Sequence, residues 1–188
     1  MTAQERGFDF LTARKYVRQH HGEEGVRALT ARLAERGMAG AMTDVILPNE
    51  WRPFAEYLAV CEGIEGLFSS PEQPHAARRY GRFQVDDQLK YYHRIAMRVL
   101  KPAWLIENAM GVWRKYCDAG RWEISWPRPN QAVARLVDMV PISPPFCQQM
   151  AGFFERFLEV CRVREILVVH PECVTRGMSM CRYDVSWR

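Results

Sequence analysis

The C-terminal part of the chain carries four side chains of the kinds that bind zinc: Cys147, His170, Cys173 and Cys181. Cysteine sulfur and histidine nitrogen hold structural zinc ions, usually as four ligands in a tetrahedron. Cys173 and Cys181 come close together if the strands that flank the intervening turn pair as a hairpin. Cys147 is predicted in the first turn of the preceding helix, where it can point at that hairpin. Three thiolates and one imidazole leave no position for water, so the sequence predicts a structural zinc ion without zinc catalysis.

The same residues are open to other interpretations. Free cysteine is among the most buried residue types and packs as a small apolar side chain, so a thiol in a core needs no metal. Glu172 is an alternative to His170 as the fourth ligand. The remaining cysteines have no ligand-like neighbours in the sequence and are predicted to be core or surface thiols: Cys61, Cys117 and Cys161.

Length and composition favour one α/β domain over residues 1–188. Hydrophobic residues make up 48% of the chain and charged residues 26%, which is typical of globular proteins and excludes a disordered chain. The net charge of +4 comes from scattered arginines without a dense basic stripe, which argues against nucleic-acid binding. The first ten residues carry charges, and no apolar run is long enough for a membrane span. We therefore expect a cytoplasmic protein, in which the six cysteines are thiols or metal ligands.

Hydrophobic periodicity predicts a helical N-terminal part, residues 1–74, after a short strand or lead-in at Phe8–Leu11. Glycines break or end the helices, and Asn49 is a candidate N-cap. The predicted helices are Thr12–His20, Glu23–Arg36, Trp51–Phe68, His75 to about Leu100, and one that Pro102 opens and Gly120 ends.

After Gly120 the pattern changes to strands, with Trp122, Ile124 and Trp126 alternating on one face. The predicted order is strand, strand, helix, strand, strand. Consecutive hairpins favour an α+β domain, in which a four-stranded antiparallel sheet carries helices on one face. The predicted elements are the strands Arg121–Trp126, Ala132–Val140, Glu165–Val169 and Met178–Trp187 and the helix Pro144–Val160.

The segment Gly81–Trp187, within residues 75–188, resembles the 4-vinyl reductase domain, which is also the sensor domain of bacterial phenol- and xylene-responsive transcription activators. In those sensors zinc is held by a cysteine at a helix start and by an acidic residue and two cysteines around a β-hairpin. The resemblance implies the same role for Cys147, Cys173 and Cys181. His170 stands where the sensors have a carboxylate, and histidine is an equally good zinc ligand.

Over nearly its full length, the chain resembles a paralogous family of myxobacterial proteins. The resemblance lies in the opening Thr12–Gly22, in Trp51–Phe54 and in the ending Cys181–Trp187. The wider fold group includes the haem–nitric oxide sensor domains and a subunit of vesicle-tethering complexes. Their shared feature is a pocket between helices and sheet, so the resemblance implies such a pocket here.

The implied pocket would lie between the helices around Tyr91–Trp113 and the strand that carries Trp122. Trp126 matches, by its spacing from Cys147, a tryptophan that holds the ligand hydroxyl in the aromatic sensors. The ungapped match to the sensors' histidine is Arg98, which argues against phenol as the ligand. The alternative is that the aromatic stripe is core. The candidate lining residues are Trp126, Trp122, His93, Arg98, Trp113 and Met110.

These features predict a non-catalytic small-molecule-binding or sensory module that has a structural zinc ion and an apolar pocket. It would bind a small apolar or aromatic ligand and signal through a protein partner or a second copy of itself. The alternative is a protein-interaction or scaffolding module with a filled core. The chain lacks a phosphate-binding loop and a serine nucleophile motif, so we expect no enzyme. It also lacks the Tyr-x-Ser-x-Arg clamp of the haem sensors, which argues against haem.

Overall fold

The computed structural model describes residues 2–89, 104, 111 and 113–188, and it confirms the predicted α+β architecture. Helices make up most of the N-terminal half, and an antiparallel four-stranded sheet with packed helices makes up most of the C-terminal half. In chain order the elements are β1 (Gln4–Arg6), α1 (Gly7–Ala34), α2 (Gly40–Thr43), β2 (Trp51–Pro53), α3 (Phe54–Phe68), α4 (Ala76–Gln88), β3 (Arg121–Arg128), β4 (Gln131–Val137), α5 (Pro144–Val160), β5 (Leu167–Glu172) and β6 (Cys181–Ser186).

Glycines punctuate α1 as the sequence predicts. Gly22 has a φ of 66° and a ψ of −171°, so the element is two helical segments joined at a kink. After the last turn, the N–H of Gly37 donates to the carbonyl oxygen of Ala34 at 2.9 Å. Gly37 has a φ of 71°, a left-handed conformation that glycine adopts without steric cost. These two glycines set the break and the end of α1.

The prediction of a helix from Trp51, capped by Asn49, is wrong at its first turn. Trp51–Pro53 is strand β2, which pairs antiparallel with β1, and the helix begins at Phe54. The N–H of Phe54 donates to the carbonyl oxygen of Ala3 at 2.8 Å, so this first helical donor is satisfied by the N-terminal strand. Phe8–Leu11, predicted as a strand or lead-in, lies inside α1.

Helix α4 ends earlier than predicted. It covers Ala76–Gln88, and Leu89 follows with an extended backbone. Most of the predicted continuation to Leu100, and the start of the next predicted helix at Pro102, lie outside the described residues. In the described range 113–188, the N–H groups of Tyr116 and Cys117 donate to the carbonyl oxygen of Trp113.

The sheet has the strand order β3-β4-β6-β5, and all neighbours are antiparallel. Helix α5 has the predicted bounds, and its start carries clear signals. The hydroxyl of Ser143 accepts from the N–H of Phe146 at 3.4 Å, and Pro144 opens the helix, where a missing N–H costs nothing. Phe54 of α3 packs edge-to-face on Phe146 at 5.2 Å between ring centroids, which joins the two halves of the core.

Helices α4 and α5 cross at backbone contact through two glycines. A Cβ atom on Gly81 would overlap the carbonyl oxygen of Gln149, and one on Gly152 would overlap that of Arg78. The crossing is flanked by ion pairs, in which Arg78 meets Glu155 at 2.5 Å. Two residues without side chains therefore set the distance between the helical half and the helix that covers the sheet.

The helices bury amphipathic faces against this shared core and leave polar residues on their outer sides. In α3, for example, Phe54, Tyr57 and Ile64 are buried, whereas Glu56 and Glu65 are only partly covered. Within the described ranges, no helix combines the length and the apolar character needed to cross a membrane.

Candidate metal centre

The structure brings the four predicted ligand residues, Cys147, His170, Cys173 and Cys181, together at one point. Their ligand atoms all lie within 4.8 Å of one another. The three thiols are free, and each cysteine is at most 2% exposed, whereas His170 is half-buried. Residues that are 34 positions apart in the sequence thus meet in one small cluster beneath the sheet and against the start of α5.

The sulfur positions match three corners of a zinc tetrahedron. The Cys147 sulfur lies 3.8 Å from the sulfur of Cys173 and 3.8 Å from that of Cys181, and the remaining pair is 3.7 Å apart. In a regular tetrahedron with zinc–sulfur bonds of about 2.3 Å, two sulfurs lie about 3.8 Å apart. The spacing therefore fits a common central ion, and it is far longer than the bond of about 2.05 Å in a disulfide.

Cys147 is fixed by the first turn of α5. Its N–H donates to the carbonyl oxygen of Ser143 at 3.1 Å, the residue that also caps the helix. The side chain therefore projects from a helix start, where backbone N–H groups favour negative charge on a thiolate.

His170 is directed at the thiols by an irregularity in β5. The pairing with β6 shifts between Val169 and Glu172, so His170 and Pro171 lie in a bulge. Proline lacks the N–H that a regular ladder requires, and bulges change where a side chain points. The imidazole stacks on Tyr183 at 4.5 Å between centroids, and its Nε2 atom is buried without a hydrogen-bond partner. A buried nitrogen without a partner fits a metal ligand.

Cys173 and Cys181 lie on either side of a tight turn. A 3-10 turn at Val174–Arg176 follows Cys173, and Gly177 closes it with a φ of 85°. The hydroxyl oxygen of Thr175 lies 3.0 Å from the Cys173 sulfur. Cys181 is the first residue of β6, opposite Leu136 of β4, and it is fully buried. The hairpin thus delivers both sulfurs to the same face of the sheet.

Without a cation, the three thiols cannot all ionise. The hydrogen bond from Cys147, together with the nearby imidazole of His170, lowers the pKa of Cys181 below its usual value, although burial opposes this. The same hydrogen bond to Cys181, together with burial, raises the pKa of Cys147 well above its usual value. The cluster therefore already stabilises one thiolate. A bound dication would favour ionisation of the other thiols as well.

The alternative ligand, Glu172, is turned away from the cluster. Its carboxylate accepts a hydrogen bond from Arg182 at 3.1 Å, and it is not among the residues whose ligand atoms converge. The three remaining cysteines are buried thiols at other places in the core, as predicted: Cys61, Cys117 and Cys161.

The spacing of the ligand residues in the sequence does not indicate the contribution of Tyr183. Its ring packs on His170, and its hydroxyl donates to the carbonyl oxygen of Cys147 at 3.3 Å. The same ring packs on Trp122 at 5.8 Å and on Phe154 at 5.4 Å. Tyr183 follows Cys181 by two residues on one strand, so strand alternation alone places both on the same face. It connects the Cys/His cluster to the aromatic inner face of the sheet.

Of the predicted pocket residues, three are described. Trp122 packs edge-to-face on Trp113 at 5.8 Å and on Phe154 at 5.3 Å, and Trp126 packs edge-to-face on Trp187 at 6.3 Å. Trp113 also donates from its indole N–H to the carbonyl oxygen of Ala119 at 2.9 Å. The other three lie outside the described residues, so the pocket stays a prediction: His93, Arg98 and Met110.

Solved H-NOX proteins are similar to this chain in their arrangement of elements. One, from S. oneidensis in the Fe(II)NO ligation state, is 16% identical with a TM-score of 0.60, over 97% of this chain and 99% of that chain. An Fe(II) unliganded H-NOX protein from K. algicida is 14% identical with a TM-score of 0.66, over 97% and 96%. An oxygen-binding H-NOX domain related to soluble guanylate cyclases is 13% identical with a TM-score of 0.66, over 97% and 95%.

The chain has the H-NOX fold. At these identities the likeness concerns the fold alone, since no family model matches the chain and no curated protein matches it in sequence. The H-NOX fold agrees with the wider fold group that the sequence resembles, whereas the closer links to the 4-vinyl reductase domain and to the myxobacterial family stay predictions.

Proposed function

We propose that this chain is a non-catalytic sensory module in which Cys147, His170, Cys173 and Cys181 hold a structural zinc ion. The observation that carries the proposal is the convergence of one nitrogen and three sulfurs within 4.8 Å, at sulfur separations that fit a zinc tetrahedron. Soft thiolates with one imidazole favour zinc over magnesium or calcium, which prefer oxygen ligands.

The proposed ion acts as a structural link. One ligand comes from α5 and the other three from the β5–β6 hairpin, so the ion ties the helix to the end of the sheet. Four protein ligands leave no coordination position for water or substrate, so the proposed site is structural and not catalytic.

The sensory part of the proposal is supported by the fold. H-NOX proteins of this fold are described in Fe(II)NO and oxygen-bound states, so the architecture accommodates small-molecule binding. We propose a small apolar or aromatic ligand at the inner face beside Trp126, with His93, Arg98 and Met110 from the neighbouring segment. A protein partner or a second copy of the chain would receive the signal.

The H-NOX neighbours imply haem, but the described residues present no site with an axial histidine for it. Haem iron needs an axial ligand such as histidine. The described histidines do not face one common pocket: His20 packs on Tyr16, His21 stacks on Phe68, His75 faces Glu65 and His170 belongs to the Cys/His cluster. The fifth histidine, His93, lies outside the described residues. The proposed function therefore includes no step through haem.

A second candidate function is a protein-interaction or scaffolding module of the same fold. The observation that favours it is the packing of Trp122, whose ring contacts Trp113, Phe154 and Tyr183. Side chains that fill the inner face in this way leave less room for a ligand there.

Native mass spectrometry of the full chain, purified without added metal, tests both candidates. We expect one zinc ion per chain, together with a small-molecule mass if the chain is a sensor. Zinc without a small molecule, in a dimer, would support the scaffold. Removal of the metal with a chelator should lower Tm by about 10 °C, since a ligand at a thousandfold its Kd contributes about 4 kcal/mol. Protein that carries no metal and melts identically with and without chelator would contradict the zinc site.

A second prediction concerns Thr175, whose hydroxyl lies 3.0 Å from the Cys173 sulfur. Hydrogen bonds from outer groups to metal ligands typically change affinity by about 10- to 100-fold. We expect Thr175→Val to weaken zinc binding about tenfold, measured by competition with a chromogenic chelator. Thr43→Val is the control, because Thr43 is exposed at the end of α2 and donates only to the carbonyl oxygen of Ala39. Equal zinc affinities for both variants would show that the Thr175 hydroxyl does not act on the site.

A further inference from the structure

Two carboxyl groups are buried together where the N-terminal strand meets α1. Glu5 lies in the middle of β1 and Asp9 in the first turn of α1, and each residue is only 4% exposed. Burial of a charged carboxylate is costly unless a cation or several donors compensate it. The pair therefore requires an explanation separate from that of the Cys/His cluster.

Amide groups compensate only part of the pair. One oxygen of Asp9 accepts from the side-chain amides of Gln84 and Gln88, each at 2.9 Å. The other Asp9 oxygen and the Glu5 Oε2 atom are buried without a hydrogen-bond partner. The two carboxyl groups are within hydrogen-bonding reach of each other. A proton held between them would satisfy oxygens that otherwise have no donor.

Among the described residues, no cation faces the carboxyl pair. Arg52 pairs with Glu5 along the backbone ladder, but its guanidinium binds Glu56, Asp44 and Glu50. Lys15 of α1 is paired with Asp87. The described groups that face the carboxyl pair are neutral or acidic. They are Tyr57 and Cys61 from α3, Tyr80, Gln84 and Gln88 from α4, Gln149 from α5 through Gln84, and Tyr116, Cys117 and Asp118 from the segment before β3.

These surroundings favour the protonated forms. Burial, followed by the nearby charge of Asp9, raises the pKa of Glu5 well above its usual value. Burial also raises the pKa of Asp9 to about 6, although the hydrogen bonds from Glu5, Gln88 and Gln84 oppose it. Glu5 therefore acts as the proton donor of the pair, and Asp9 acts as the acceptor.

The strand that carries Glu5 joins two distant parts of the chain. On one side β1 pairs with β2, and on the other Glu5 bridges to Cys117. The N–H of Arg6 donates to the carbonyl oxygen of Tyr116 at 2.8 Å, and the N–H of Asp118 donates to that of Gln4 at 3.1 Å. The segment Tyr116–Asp118 leads directly into β3, so the position of β1 is coupled to the entry of the sheet.

We infer that Glu5 and Asp9 form a buried proton-binding site whose occupancy holds strand β1 against the segment Tyr116–Asp118. When the proton leaves, two carboxylates face each other in the core, and no described cation lies beside them. Repulsion and the cost of burial then favour release of β1 from its neighbours. Protons are the ligand of this device, which is independent of metal binding at the Cys/His cluster.

The direction of the pH effect follows from the raised pKa values. The folded state binds the proton more tightly than the unfolded chain, so its stability is full at acidic pH, below the unfolded pKa of about 4. Stability falls as the pH rises through the folded pKa of Asp9, about 6, and of Glu5. Each group whose proton is retained only in the folded state raises the unfolding equilibrium constant about tenfold per pH unit within this window.

Glu5→Gln in the full chain tests the site, because glutamine keeps the shape and donates to Asp9 without ionising. Urea unfolding at pH 5, 6, 7 and 8 measures the unfolding equilibrium constants of both proteins. The ratio of the natural chain's constant to the variant's should rise with pH, by up to about tenfold per pH unit. At pH 8 the amides of Arg6 and Asp118 should exchange hydrogen more slowly in the variant. Glu23→Gln is the control, since its exposed ion pair with Arg18 predicts less than a twofold change over the same range.

Infrared spectroscopy reads the proton directly in the natural chain. At pH 7 the natural chain should show the carbonyl band of a protonated, buried carboxyl group, and Glu5→Gln should remove it, because Asp9 is mostly ionised at that pH. Absence of that band in the natural chain would overturn the inference. The inference would also be overturned if the ratio of unfolding equilibrium constants between Glu5→Gln and the natural chain did not change with pH.

Discussion

Replacing Cys181 by serine is expected to abolish metal binding and to lower the free energy of unfolding by about 5–7 kcal/mol. About 4 kcal/mol of this is the stabilisation from a ligand at a thousandfold its Kd, and about 1–3 kcal/mol is the cost of burying a hydroxyl. Cys181 is fully buried, and its sulfur lies 3.7 Å and 3.8 Å from the other two. A serine hydroxyl is a poor zinc ligand and leaves a polar group in a buried position without the ion. Urea unfolding and metal analysis of the same sample measure both effects.

Cys161→Ser is the matched control for this prediction. Cys161 is also a buried thiol, but it packs beside Val85 and Val160, away from the Cys/His cluster. Its free energy of unfolding should fall only by the cost of burying a hydroxyl, about 1–3 kcal/mol, and the variant should keep the metal. Addition of chelator should then destabilise the control and leave Cys181→Ser unchanged. Equal responses of the two variants to chelator would contradict a metal at Cys181.

Elements whose signals are local could be predicted from the sequence. The helix Pro144–Val160 has a serine cap and a proline at its start, and its bounds agree with the prediction. Gly22 breaks α1 because its backbone is left-handed there. The strand pattern around Trp122 likewise places alternate residues on one face. In each case the residues that decide the structure lie within the element itself.

Elements that depend on distant partners could not be predicted in this way. Strand β1 has the sequence Gln-Glu-Arg, without an apolar alternation, and it exists because β2 and the segment after Trp113 pair with it. A glutamate such as Glu5 is also expected on the surface, since buried carboxyl groups are rare. The predicted start of α3 is three residues too early, because Trp51–Pro53 pairs with the distant strand β1.

The candidate metal centre could be predicted to a large extent, because ligand chemistry restricts the choice. Six cysteines offer many combinations, but only one histidine lies near two of them in sequence, and a hairpin turn separates those two. The contributions of Tyr183 and Thr175 could not be predicted from ligand spacing. Both residues contact the ligand residues themselves, and these hydrogen bonds and ring contacts depend on the folded geometry.

The contact between α4 and α5 gives the second large expected effect. Gly81 and Gly152 face each other's helices so closely that a methyl group on either would overlap a backbone carbonyl oxygen. Backbone atoms of a helix cannot move aside as a flexible side chain can. A methyl group there must therefore separate the two helices and disturb the ion pairs beside the crossing, such as that between Arg82 and Glu159.

We expect Gly81→Ala and Gly152→Ala each to lower the free energy of unfolding by about 3 kcal/mol, the upper range for overpacking a core. Because one methyl group already separates the helices, the second should cost less, so the double variant should lose clearly less than the sum of the two. Gly66→Ala in α3 is the control, since its new methyl would meet only the flexible Arg32 side chain at 3.3 Å. Alanine favours the helix, so this control should change stability by less than about 1 kcal/mol. Strictly additive losses in urea unfolding would show that the two glycines do not act at one shared crossing.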